Sequence, residues 1–166
     1  MKQLSVLVIA VLISLSGSSQ KGKTPAPKKE LLKYRVGLIT SLPTDTYAAQ
    51  RKVGIGSTFF EASYVVSKKF IATGSAGYLR YVNEGESFSQ APVMVGLKHP
   101  IDNLFYFGAS AGLAFYNNNQ YGKTDFIFSP YIGLQAKKIS FDIRYLNTPK
   151  GEESIKTTAI VISYTL

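Results

Sequence analysis

Downstream of residue 31, the hydrophobic positions of the chain follow a period of two. The last nine residues show it without a break: Thr158, Ile160, Ile162, Tyr164 and Leu166 fall on one face, and Ala159, Val161, Ser163 and Thr165 on the other. That is the alternation of a β-strand running to the end of the sequence. Runs rich in β-branched and aromatic residues recur eight times, at 32–40, 52–66, 70–82, 91–98, 104–116, 125–136, 139–147 and 155–166. Turn residues separate them, and nowhere does a helical period hold.

The connections alternate in kind. Those after the second, fourth and sixth runs are tight, at 67–69, 99–103 and 137–138, whereas those at 41–51, 83–90, 117–124 and 148–154 are longer and more polar. Short turns at one end and longer loops at the other predict an all-β fold, an eight-stranded antiparallel up-and-down transmembrane β-barrel with periplasmic turns and outer loops. Eight is even, so both ends of the barrel segment lie on the periplasmic side.

The strands themselves carry an inside-out pattern. In the seventh, Ile139, Phe141, Ile143 and Tyr145 oppose Ser140, Asp142 and Arg144. A soluble sandwich buries the apolar face, while a membrane barrel turns it to lipid and keeps the charges in its lumen. The fifth strand decides for the barrel, with Phe105, Phe107, Leu113 and Phe115 against Tyr106, Gly108, Ser110 and Gly112. Two strands fit less simply. Placing Glu61 inward also places Val53, Ile55 and Phe59 inward and sends Gly54, Gly56 and Thr58 outward, unless a bulge intervenes. Pro130, in the sixth strand, has no N–H to give to a ladder and predicts a local bulge or distortion.

Residues 1–19 read as a secretory signal peptide. Met1 and Lys2 start it, 4–15 are apolar, and Ser16, Gly17, Ser18 and Ser19 make a small-residue exit before Gln20. The apolar run falls short of the ~20 residues of a spanning helix, so cleavage is expected. Residues 20–31 form a basic, proline-bearing periplasmic leader, leaving 32–166 for the barrel. With no cysteine in the chain, neither a disulfide framework nor cysteine lipidation applies, and a bacterial envelope fits better than a small secreted eukaryotic domain.

An eight-stranded barrel is just wide enough to be filled by its own side chains. The inward set is Arg35, Glu61, Met94, Lys98, Tyr106, Ser110, Tyr131, Gln135, Asp142 and Arg144, with room left by Gly37, Gly96, Gly108, Gly112 and Gly133. Buried charges need partners, so Arg35, Glu61, Lys98, Asp142 and Arg144 predict a salt-bridged polar plug instead of an open pore. The net charge of +9 gathers at the predicted periplasmic end, where Lys68, Lys69, Lys137 and Lys138 form a basic rim suited to inner-leaflet phosphates. These lysines are divided among turns, which disfavours nucleic acid as a partner. The one histidine, His99, precedes Pro100 in a predicted periplasmic turn, where a turn residue ahead of proline is the simpler reading. No catalytic residue, metal site or cofactor is expected, and Gly54-Ile55-Gly56 lies in a strand, not ahead of a helix as a phosphate loop would.

The signal peptide, eight strands, alternating loop lengths and terminal alternation together resemble the small OmpA/OmpX-type barrels. The chain is most similar to the "outer membrane protein beta-barrel domain" proteins of Bacteroidota, in which a Gln after the cleavage point, here Gln20, is common. The resemblance implies a monomer in a Gram-negative outer membrane that meets membrane lipid and lipopolysaccharide. It also implies that the barrel-assembly machinery reads the closing strand, here Ile160, Ile162, Tyr164 and Leu166, with Leu166 where a final aromatic residue is usual. A structural or interaction role through the loops follows, with Tyr47, Phe88 and Tyr121 as contact candidates. The alternatives are a narrow porin-like channel for small solutes and a soluble lipocalin-like carrier. Asp142 and Arg144 would spoil the apolar cavity of the carrier.

Deleting residues 164–166 should abolish assembly, whereas Leu166→Phe should leave it intact or improve it. The heat-dependent gel mobility of the folded barrel reports both outcomes.

Overall fold

A computed structural model describes residues 32–44, 54–82, 87–117, 124–150 and 153–166. They form eight strands, β1 (Leu32–Pro43), β2 (Gly54–Val65), β3 (Ile71–Val82), β4 (Ser87–Pro100), β5 (Phe105–Tyr116), β6 (Thr124–Ala136), β7 (Ile139–Lys150) and β8 (Glu153–Thr165). Each pairs with the next, and β8 returns to β1 to close an antiparallel barrel. The start of β1 and the end of β8 share one rim with the β2–β3, β4–β5 and β6–β7 turns, the turn end; the opposite rim is the loop end. The signal peptide, the leader, Tyr47 and Tyr121 lie outside the described residues.

Alternation sets the two faces of the wall. On β5, Tyr106, Ser110, Ala114 and Tyr116 are buried while Phe105, Phe107, Leu113 and Phe115 are exposed. On β8, Ala159, Val161, Ser163 and Thr165 are buried, Ile162, Tyr164 and Leu166 are exposed, and Ile160 is half-buried. The apolar exterior continues around the barrel through Leu38, Phe60, Tyr78, Val95, Ile132 and Ile143, with Val95 72% exposed. An apolar outside around a polar inside inverts the pattern of a water-soluble protein.

Five strands, β1, β4, β6, β7 and β8, reach further toward the loop end than their composition predicts. Val82 pairs with Ser87, and Lys150 with Glu153. Phe88 is therefore a strand residue opposite Tyr81, not part of a loop, and its side chain lies outside the described residues. Polar residues that read as loop, Gln90 and Thr148, are buried in the lumen. They hydrogen-bond there, so polarity marks an inward face, not a break in the ladder. At the turn end, β4 likewise continues through His99, which pairs with Phe107 instead of lying in a turn.

The two awkward strands resolve differently. In β2 the register with β3 shifts between Gly56 and Thr58, so Ser57 is an extra residue. Beyond it Phe59 and Glu61 are buried as expected, but Gly54 and Gly56 oppose the inward Tyr81 and Leu79, and Ile55 opposes the exposed Arg80. The bulge thus puts Gly54, Ile55 and Gly56 one register position out of step with Glu61, and their side chains lie outside the described residues. Pro130 pairs with Ala109 on β5, while the β6–β7 ladder breaks between Phe128↔Asn147 and Tyr131↔Arg144 with its register kept. The missing donor leaves a gap, not a bulge. Pro92 leaves a similar gap between β4 and β3.

Closure holds through the last residue. Arg35↔Thr165 to Pro43↔Thr157 pair β1 with β8, Leu166 N–H donates to the Tyr34 carbonyl at 3.0 Å, and Thr165 N–H to that of Lys138 at 2.7 Å. The turns are fastened by side chains. The Ser67 hydroxyl accepts N–H bonds from Lys69 and Phe70. Asp102 Oδ1 accepts those of Leu104 and Phe105 at 2.7 and 2.6 Å.

These two N–H donors hold the exposed Asp102 carboxyl below the usual range. A lowered folded-state value contributes stability above the unfolded value of about 3.9, lost as pH falls through the folded one. Asp102→Ala should lower the unfolding midpoint of the vesicle-inserted barrel at pH 7. The gap between variant and wild type should narrow as pH falls from about 4, read by denaturant titration at each pH.

Candidate functional site in the lumen

The charged residues that strand parity assigns to the lumen come together near its turn-end half, with Glu61 at the centre. From β1, Arg35 donates through Nε and Nη2 to Glu61 Oε1 at 3.1 and 2.5 Å. From β4, Lys98 Nζ reaches the same oxygen at 3.1 Å. From β7, Arg144 Nη2 donates to Glu61 Oε2 at 3.0 Å and to Asp142 Oδ2 at 2.9 Å. Tyr106 links the two halves, accepting from Arg35 Nη1 at 3.1 Å and donating to Asp142 Oδ1. One carboxylate thus joins cations from three strands across the barrel. Arg35, Glu61, Asp142 and Arg144 are 2% exposed or less and Lys98 4%. Charges so buried persist only when paired and hydrogen-bonded.

Aromatic rings complete the layer. Arg144 lies over Tyr131 at 4.2 Å and over Phe59 at 4.7 Å, and Lys98 over Tyr106 at 4.5 Å, where ring faces favour the cations. The two tyrosines fit because glycine lies beside each. A Cβ at Gly133 would come within 2.6 Å of the Tyr106 ring, and one at Gly108 would strike the Tyr131 hydroxyl end.

Toward the loop end the lumen changes character. Ile39, Leu79, Tyr81, Ile127, Leu146 and Val161 belong to a buried apolar cluster. Above it Gln90 accepts from the Tyr81 hydroxyl at 3.1 Å and donates to Tyr116 and Thr148 at 3.0 and 3.4 Å. An apolar layer thus backs the ionic one, with the hydrogen-bonded group around Gln90 beyond it. Carrying each inward parity to the end of its strand locates the second layer, from Arg35 through Gly37 to Ile39 and from Asp142 through Arg144 to Leu146.

The other candidates are spread over the surface. Lys68, Lys69, Lys137 and Lys138 are exposed at the turn-end rim. Lys137 carries a positive φ of 55°, and Lys138 lies over the Tyr164 ring at 5.3 Å. His99 is half-buried on the outer face between Phe70 and Phe107, at ring distances of 5.4 and 5.0 Å, with Nδ1 2.7 Å from the Lys69 carbonyl oxygen. Among the described residues, no three His, Cys, Asp or Glu side chains gather as a metal site.

No family model and no curated protein matches the chain. Solved structures do. Ail, the attachment invasion locus protein of Yersinia pestis, matches with a TM-score of 0.57 at 12% identity, over 81% of this chain and 97% of that one. The N-terminal β-barrel domain of Pseudomonas aeruginosa OprF matches with a TM-score of 0.53 at 10% identity, over 81% and 97%. The chain has the fold of a small outer-membrane β-barrel. A de novo designed transmembrane β-barrel is also similar, with a TM-score of 0.55 at 14% identity, over 88% of this chain and all of the other. At such identities the likeness is one of architecture.

The ionic layer sets three cations against two anions, so its two signs should respond unequally. Glu61→Gln leaves three cations facing Asp142 alone and should cost about 3–5 kcal/mol. Lys98→Met leaves Glu61 with Arg35 and Arg144 and should cost less than about 1 kcal/mol. Denaturant unfolding of the two variants in lipid vesicles measures the difference.

Proposed function

We propose that this protein is a non-conducting outer-membrane barrel of the kind found in Bacteroidota, serving as a rigid scaffold for its outer loops, without enzymatic activity. The observation that carries this is the two-layer filling. Cross-barrel ion pairs around Glu61 are backed by the apolar cluster of Ile39, Leu79, Ile127, Leu146 and Val161. A lumen so occupied opposes both a solute channel and an apolar ligand cavity.

The orientation we propose puts the turn end, both chain ends and the lysine rim in the periplasm, where anionic head groups favour Lys68, Lys69, Lys137 and Lys138. The residues between β1 and β2 and between β5 and β6, with Tyr47 and Tyr121, then face the exterior, as does the strand end bearing Phe88. Loops held by a rigid wall are suited to contact with lipopolysaccharide or other proteins. Ile160, Ile162, Tyr164 and Leu166 lie on the closing strand, where the assembly machinery would read them.

Planar bilayer recordings of the purified barrel should show no stable, large conductance, and its appearance would overturn the scaffold reading. Cell fractionation with boiled and unboiled gel samples should place the chain in the outer membrane with a heat-dependent mobility shift. A soluble periplasmic protein without that shift would overturn the membrane reading.

A further inference from the structure

The lumen is not filled to its turn-end rim. A recess of about 350 Å³ opens there, lined by Lys98 of β4, Tyr106 of β5 and Gln135 of β6, with Asn103 and Lys137 of the adjoining turns. Strand pairing puts the first three on the inward face, where Gln135 opposes the buried Ser140 of β7. Lys98 and Tyr106 are also the side chains that bond Glu61 and Asp142. The recess therefore runs down to the ionic layer, which closes it from the loop end together with the apolar cluster behind.

The layer that floors the recess is not electrically balanced. Arg35, Lys98 and Arg144 share two carboxylates, those of Glu61 and Asp142, which leaves one positive charge in excess. A surplus charge inside an apolar wall is costly, and an anion brought beside it offsets the cost. The donors for such an anion are at hand. Lys98 Nζ spends one of its three N–H groups on Glu61. Gln135 Nε2 donates to the Lys137 carbonyl at 3.4 Å and keeps a second amide hydrogen. Lys137, exposed at the edge, adds a second positive charge. The carboxylate of the lining, Asp102, is held into its own turn by the two backbone N–H bonds that Oδ1 accepts. Two cations and the side-chain amides of Asn103 and Gln135 around one recess suit a ligand with several acceptor oxygens. We infer that the turn-end mouth of the lumen binds one inorganic tetrahedral oxyanion, of the phosphate or sulfate class, between Lys98 and Lys137. The inference goes beyond the scaffold reading and does not depend on which compartment the turn end faces.

Calorimetric titration of the full chain, folded in a neutral detergent, with sodium phosphate at constant ionic strength tests this. The wild type should take up one phosphate. Sulfate should compete with it, and chloride at the same concentration should not. Lys98→Met removes the surplus charge and should abolish uptake while the heat-dependent gel shift is kept. Lys137→Gln should weaken uptake by up to about fivefold, the range of an exposed ion pair. Lys69→Gln, on the same rim but outside the recess, should leave it unchanged. A wild type that takes up no stoichiometric phosphate overturns the site, as does uptake that survives in a folded Lys98→Met barrel. Equal effects of Lys69→Gln and Lys137→Gln overturn it as well, since the whole rim and not the recess would then attract the anion. That comparison decides by itself if Lys98→Met does not fold. Chloride competing as strongly as sulfate overturns the assignment to an oxyanion.

Discussion

An apolar exterior forbids any backbone N–H or carbonyl in the wall from turning to water, and the rest of the molecule follows from that restriction. Every strand needs a partner on both sides, which an open sheet cannot provide and a closed one can. The β1–β8 ladder is therefore the condition for all the others. It explains why the pairing is carried through Leu166, whose amide is used by Tyr34. It also explains why proline is tolerated only with a local loss: Pro130 and Pro92 each keep one neighbour and interrupt the ladder with the other.

Closure with eight strands fixes a narrow interior, and the narrow interior decides the chemistry it can contain. Side chains from opposite walls meet, so Glu61 is within bonding distance of residues on β1, β4 and β7. Each of the five charges of the layer has an opposite partner, and glycine at 108 and 133 gives the tyrosines of the layer their places. Beyond it the lumen is filled by apolar side chains, as the core of a soluble protein is, although the surface that surrounds it is also apolar.

Strand count, alternation and lumen parity were legible because they are local properties of the sequence. The fifth and seventh strands show this best, since large and small or apolar and charged residues alternate there over their whole length. The failures were equally local in origin. A single extra residue, Ser57, shifted the register of Gly54 to Gly56, and nothing in the sequence announces a bulge there. Gln90 and Thr148 looked like loop because polarity in a strand can mean either water or an occupied lumen. Parity placed Arg35, Glu61, Lys98, Asp142 and Arg144 on the inner face, but which of them touch depends on the stagger of strands around the barrel.

The ionic layer has a kinetic meaning as well. Its contacts with Glu61 join residues 26, 37 and 83 positions apart in sequence, and those from β4 and β7 exist only once the strands between them have gathered. Contacts so non-local require long stretches of chain to be closed before they reward it, which makes folding to this layer slow. Glu61 therefore ties the order of the whole wall to one carboxylate: its three partners meet only when β1, β4 and β7 stand in their closed places.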